Sequence, residues 1–170
     1  NAKVLQRLAV PAVKEIEASA ELVDLNYVLH QVLINLRMAI EQQQAEIYTF
    51  PLPIVSGKED DFVLIFQQLI LHNLNHNQAL IPRMNIVVES TDQYHYIGFR
   101  GNGKSESKAQ ESLFLFDKTW RRRLTRPAGD LRLHLCERLL EQYKGQLTIH
   151  REEGKPSTFC IKLPSSVERA

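Results

Sequence analysis

The chain has 170 residues, 44% of them hydrophobic and 24% charged, and its 21 basic and 20 acidic side chains leave a net charge of +1. That length can bury one sizeable core or just manage two small ones. Near-neutrality gives no global field calling for nucleic acid or a membrane surface. No apolar run approaches the ~20 residues that span a bilayer, and the N-terminus lacks a signal-peptide pattern. Cys136 and Cys160 make no disulfide framework, so both are expected to be buried, reduced thiols of a cytoplasmic protein. The start at Asn1 reads as a cut from a longer chain.

Residues 4–18 are helix-like, with Pro11 as a kink. Asp24 reads as the cap of a helix from Leu25 onward, with Leu25, Val28, Leu29, Val32, Leu36, Ala39 and Ile40 on one apolar stripe. Residues 47–50 suit a strand. Pro51 and Pro53 then interrupt regular structure, and Ile54-Val55 leads to Gly57. Residues 59–75 form a second helix carrying Phe62, Ile65, Phe66, Leu69 and Ile70 inward. Residues 84–89 and 94–100 read as neighbouring strands around a turn at 90–93. Residues 101–110 read as a polar, mobile loop. Residues 111–126 combine a short apolar segment with a basic run.

The stretch 128–164 closes the chain as a helix, a stop and a hairpin. Leu131, Leu135, Leu139 and Leu140 recur at helical spacing. Gly145 is expected to take the left-handed conformation that ends the helix. Residues 146–150 and 158–163 are β-rich, joined by the turn residues Glu153, Gly154, Lys155 and Pro156. The element order implies an α+β fold: a two-layer α/β sandwich whose mixed β-sheet carries helices on one face. A linker helix is expected over residues 1–20, one domain over 21–165 and a tail over 166–170.

Three phrases carry a resemblance. VDLNYVLHQVLINLRMAIEQQQAEI, FPLPIVSGKEDDFVLIFQQLILHNL and YKGQLTIHREEGKPSTFCIKLP resemble the opening, the asparagine-box region and the closing hairpin of the catalytic ATP-binding domain of sensor histidine kinases. Gyrase, the MutL repair proteins and the ninety-kilodalton heat-shock chaperone share that superfamily. The resemblance covers roughly residues 24–164. It implies the histidine-kinase-like ATPase fold, ATP and Mg as cofactors, and a response regulator or partner histidine kinase as partner. It further implies a place in a two-component phosphorelay, and a homodimer through the N-terminal helix.

The family's chemistry lies in four motifs, each to be matched separately. An ungapped asparagine box puts Gln68-Leu69 at its first pair and His72-Asn73 at its second, where the family's Asn helps to hold magnesium. Magnesium prefers oxygen ligands, so His72 substitutes poorly. A slipped register over Asn73, Leu74, Asn75, His76 and Asn77 recovers the spelling but rotates the helix. The plainer alternative makes His72, Asn73, Asn75, His76 and Asn77 a polar helix end. Gly101-Asn102-Gly103 matches the Asn-Gly of the adenine motif but replaces its Asp. Losing that hydrogen-bond partner costs ~1–3 kcal/mol, or about ten- to hundredfold in affinity. Phe114 and Phe116 resemble the phenylalanine-rich segment. Ala128, Asp130 and Arg132 stand where phosphate-cradling glycines belong, with Arg121, Arg122, Arg123 and Arg126 as compensating charge.

The candidate cofactor-binding residues are therefore Asn102, Gly103, His72 and Asn73. No catalytic or metal residue is assigned. The expected function is a degenerate, pseudokinase-like signalling domain of a two-component or phytochrome-type protein, working through protein contacts. The alternative is an active kinase domain with a divergent nucleotide pose. A nucleic-acid module using Trp120 and the adjoining arginines finds little support in a near-neutral chain with few interleaved aromatics. Hydrolase readings fail on the scattered His residues and on the missing Gly-x-Ser-x-Gly elbow.

Overall fold

The computed structural model describes residues 21–102, 131–150 and 158–165. The expected N-terminal helix, Gly103, the Phe114–Phe116 segment, the basic run, Ala128 to Asp130 and the turn at 153–156 lie outside them.

The chain enters through a short strand, β1 (Leu22–Asp24), which sequence patterning does not announce. It pairs antiparallel with β3 (Ile54–Ser56) in a two-stranded ribbon. Asp24 then caps α1 (Leu25–Asn35), its carboxylate accepting from the Asn26 backbone N–H at 2.9 Å. Asn26 also fixes the proline-containing connection: its side chain donates to the Leu52 carbonyl and accepts from the Leu52 N–H. Leu36 interrupts the expected single helix, and α2 (Arg37–Gln43) continues it as a separate segment. Leu36 itself stays buried, with Val28, Leu29 and Val32 of the expected stripe.

Strand β2 (Glu46–Thr49) follows, and after the ribbon comes α3 (Glu59–His76), the longest helix described. Its first turn carries Glu59, Asp60 and Asp61, which favour the positive end of the helix dipole. Strands β4 (Arg83–Ser90), β5 (Tyr94–Gly101), β6 (Gln146–His150) and β7 (Thr158–Pro164) complete a five-stranded sheet in the order β2-β4-β5-β7-β6. Only β2 and β4 run parallel among its described pairs, so the sheet is mixed, as the element order implies. The last helix, α4 (Leu131–Gln142), precedes β6.

The core forms where helices α1, α3 and α4 cover one face of this sheet. Phe62, Ile65, Phe66, Leu69 and Ile70 of α3 are fully buried, with Met84, Ile86, Ile97, Phe99, Phe159 and Ile161 from the strands. Phe66 meets Phe99 edge-on, with centroids 5.1 Å apart, a favoured aromatic geometry. The α+β two-layer sandwich is thus the observed architecture.

Two local expectations need correction. On α4 the buried stripe is Leu133, Cys136 and Leu140. Leu131 and Leu135 are 81% and 46% exposed, because the neighbouring stripe, equally helical in spacing, is the one that faces α3 and the sheet. The left-handed residue closing α4 is Lys144, at φ 58°, and not Gly145. The Gly145 N–H reaches back to the Leu140 carbonyl at 2.8 Å, a Schellman-type closure. Gly145 is required for close approach: a Cβ there would sit 2.7 Å from the Lys162 carbonyl oxygen of β7.

Beyond α4, Tyr143 packs against the start of α3. Its ring lies 5.1 Å from that of Phe62, and its hydroxyl donates to the Asp61 carboxylate and accepts from the Lys58 N–H. Gly57 makes room, since a Cβ there would lie 2.5 Å from the Phe62 ring. Burial, then the hydrogen bond to Asp61, push the Tyr143 hydroxyl from 10.0 up to about 12. The neutral hydroxyl's contribution is therefore intact below pH 10 and is lost as pH rises towards 12, where only the unfolded chain ionises readily. Tyr143→Phe is expected to lower unfolding free energy by about 1–2 kcal/mol. It should also flatten the alkaline decline in urea midpoint that the parent shows between those pH values.

Candidate functional site

Helix α3 has two working faces, and burial of the first orients the second. With Phe62, Ile65, Phe66, Leu69, Ile70 and Leu74 packed inward, the adjacent stripe of Gln68, Leu71, His72, Asn75 and His76 turns towards α4. Together with Arg132 and Leu133 it lines a cleft of about 90 Å³. Gln68 and His72 of the ungapped asparagine-box reading line this cleft, as do Asn75 and His76 of the slipped one.

His72 packs edge-on against Phe159 of β7, with centroids 5.3 Å apart, and lies 4.2 Å from the His76 ring one turn along the helix. Asn73, its sequence neighbour, points the other way and is completely buried. That burial separates Asn73 from the exposed Asn75 and His76, so the helix end is not uniformly a solvated polar surface. The slipped register would need Asn73 in the cleft, and the apolar face of α3 holds it in the core.

Asn102 directly follows β5 and is 9% exposed. Its side-chain oxygen accepts from the Arg83 N–H at 2.8 Å and from the Asn77 amide at 2.9 Å. Its own amide donates to the Ile81 carbonyl at 3.0 Å. Both ends of the Asn102 side chain are thereby engaged in holding residues 77–83 to the end of β5. Asn77 is the cap residue of α3, so this clamp lies immediately past the cleft. Gly101, where the adenine-recognising Asp would stand, is buried and paired with Met84. His72 therefore reaches the cleft, Asn73 lies behind it, and Asn102 sits beyond its edge.

The sequence reading missed the pairing of His72 with His76, although their four-residue spacing was the available signal. It also missed the apolar lining, Leu71 and Leu133. Among the described residues no cluster of three or more His, Cys, Asp or Glu is placed to hold a metal. Among the described residues no carboxylate lines the cleft, and the described polar lining consists of amides, imidazoles and Arg132. Magnesium takes near-octahedral oxygen coordination and is usually held through carboxylates and substrate phosphates. The described donor set supplies no carboxylate for a magnesium-bound triphosphate.

No family model matches the chain. Among curated proteins it is 23% identical over 142 residues to the phytochrome-like protein Cph1 of Synechocystis sp., covering 83% of this chain. It is 23% identical over 145 residues to cyanobacterial phytochrome A of Nostoc sp., covering 85%. In both cases the chain spans only 19% of the relative's length. The catalytic domain of histidine kinase ThkA superposes with a TM-score of 0.61 at 13% identity, covering 85% of this chain and 95% of that one. ThkA in complex with the response regulator TrrA gives 0.60 at 14% identity, covering 99% of this chain and 50% of that one. The chain has the fold of a histidine-kinase catalytic domain, and the resemblance expected from its sequence holds.

The Asn102 clamp predicts that Asn102→Ala destabilises the fold by about 1–3 kcal/mol, because it strands buried hydrogen-bonding groups. The loss should appear in urea unfolding without any nucleotide present. Amide exchange should quicken at residues 79–83.

Proposed function

We propose that this chain is a signal-transduction domain of a two-component or phytochrome-type protein. It has a histidine-kinase catalytic fold, has lost ordinary Mg-ATP chemistry, and acts by contacting a response regulator or a partner kinase. The observation that carries this reading is the Gln68–His72–His76 row on the wall of the cleft. An imidazole, that of His72, stands where the resemblance calls for the magnesium-holding asparagine. Phosphoryl transfer depends on metal and positioning above all, so that exchange falls on the most sensitive part of the chemistry. The missing Asp at Gly101 removes a second nucleotide contact.

Two comparisons support the setting. The curated relatives are phytochrome proteins. ThkA, which shares this fold, forms a complex with a response regulator. No described helix is long and apolar enough to cross a membrane. The N-terminal residues, read as a linker helix, would transmit movement between a sensor and this domain or pair two copies. The second reading, an active kinase with a divergent pose, draws on Arg132, a cleft residue able to bind phosphate.

Calorimetry with ATP and magnesium decides between them. The expected outcome is no saturable heat up to ~1 mM nucleotide, a limit corresponding to about 4 kcal/mol of binding. Micromolar binding that Arg132→Ala weakens at least tenfold, accompanied by phosphate transfer to a histidine-bearing partner, would sink the regulatory reading.

A further inference from the structure

We propose that His72 and His76 form a two-imidazole chelate for a nitrogen-preferring divalent cation of the zinc, nickel or copper class. The inference uses the same cleft as the regulatory reading and adds a ligand to it. It stands on three features of the structure.

The first is geometry. The rings belong to one face of α3, one turn apart, with centroids 4.2 Å apart and planes inclined at 43°. A metal bound at ~2.1 Å from a nitrogen of each ring places the ring centres about 4.5–5 Å apart. Small side-chain rotations reach that arrangement from the one observed. Each imidazole has two nitrogens, so ligation by one leaves the other available for its own hydrogen bond.

The second is the surrounding donor set. Gln68 precedes His72 by one turn in the same cleft and can add an amide oxygen, with water or an anion completing the coordination. Imidazole suits zinc, copper and nickel, whereas carboxylate, carbonyl and water suit magnesium. The imidazole pair and the carboxylate-free lining among the described residues favour these ions over magnesium. Arg132 opposes a cation, but its side chain is exposed, so solvent screens that repulsion. It is also placed to hold an anionic co-ligand.

The third is the field of the helix. His76 is the last residue of α3 and His72 lies in its final turns. The partial negative charge of a helix C-terminus favours a bound cation there. The pair is also half-sheltered: His72 rests against Phe159 on the core side, while His76 is exposed and gives the ion an entry path.

The test uses the full chain, stripped with chelator, at about pH 7.5, where an ordinary imidazole is mostly neutral. Zinc chloride, nickel chloride and magnesium chloride are titrated by calorimetry with no nucleotide present. Zinc and nickel are expected to saturate at micromolar concentration with one ion per chain, and magnesium to give no binding heat. At metal 100-fold above Kd the folded-to-unfolded ratio rises about 100-fold. His76→Ala, a change at an exposed residue, should weaken zinc at least tenfold. His134→Ala, on the exposed face of α4, should leave it unchanged. Imidazole nitrogen resonances of His72 and His76 should shift on zinc addition. Zinc affinity unchanged in His76→Ala, or no saturable zinc binding at 1 mM by a chain with parent circular dichroism, would overturn the chelate. Micromolar Mg-ATP binding beside an intact zinc response would overturn the regulatory reading alone.

Discussion

The rotation of α3 about its own axis is the constraint from which the rest of this domain follows. Fully burying six large apolar side chains is worth ~1.5–3 kcal/mol for each, and no other angular setting places Phe62, Ile65, Phe66, Leu69, Ile70 and Leu74 against the sheet together. Once that face is set, the neighbouring polar residues have no freedom over where they point. Gln68, His72 and His76 face α4 because they lie beside the buried stripe. Asn73 is in the core because it belongs to that stripe. The chemistry of the cleft is therefore a by-product of packing, and changing it needs substitutions on a surface whose orientation the core already dictates.

The same packing explains which parts of the molecule were legible in the sequence. Long periodic segments were: α3, the pair β4 and β5, and the strands β6 and β7 fall within a residue or two of their expected limits. Asp24 caps its helix as its residue type and position imply. The three-residue strand β1 was not legible, because three residues hold no period and its pairing with Ile54–Ser56 is set by a distant part of the chain. The inward face of α4 was misread for a related reason. Leu131, Leu135, Leu139 and Leu140 repeat at helical intervals, and so do Leu133, Cys136 and Leu140, the two sets sharing the buried Leu140. Counting leucines favours the first, and contact with α3 and the sheet selects the second, in which a cysteine serves as a small hydrophobe. The helix stop was placed within one residue, but its mechanism was assigned to the wrong one. Lys144 carries the left-handed turn, and Gly145 is there because the β7 backbone passes too close for any side chain.

The candidate site was half legible. The ungapped register brought out Gln68 and His72, and the structure places both in the cleft. Asn102 drew attention through its place in a glycine-containing motif. Its role in the fold is as an anchor joining the end of β5 to the segment after α3. Small motifs of this kind report a backbone that turns tightly, and such a turn serves a structural clamp as well as a ligand. As members of a polar helix end His72 and His76 carry no mark of their pairing, which exists only once the helix is wrapped.

The contact of Tyr143 with Asp61 and Phe62 has one more consequence. Tyr143 fastens the end of α4 to the start of α3, while the start of α4, at Arg132, shares the cleft with the end of α3, at His76; the two helices thus run in opposite directions. The two helices therefore resemble the legs of a compass with its pivot at Tyr143. From Asp61 to His76 the leg is about 20 Å long at 1.5 Å per residue. A change of roughly 5° at the pivot moves the walls of the cleft by about 2 Å, near the length of one metal–nitrogen bond. Small adjustments at the Tyr143 end are thus magnified into differences that a bound ion or a partner surface would register.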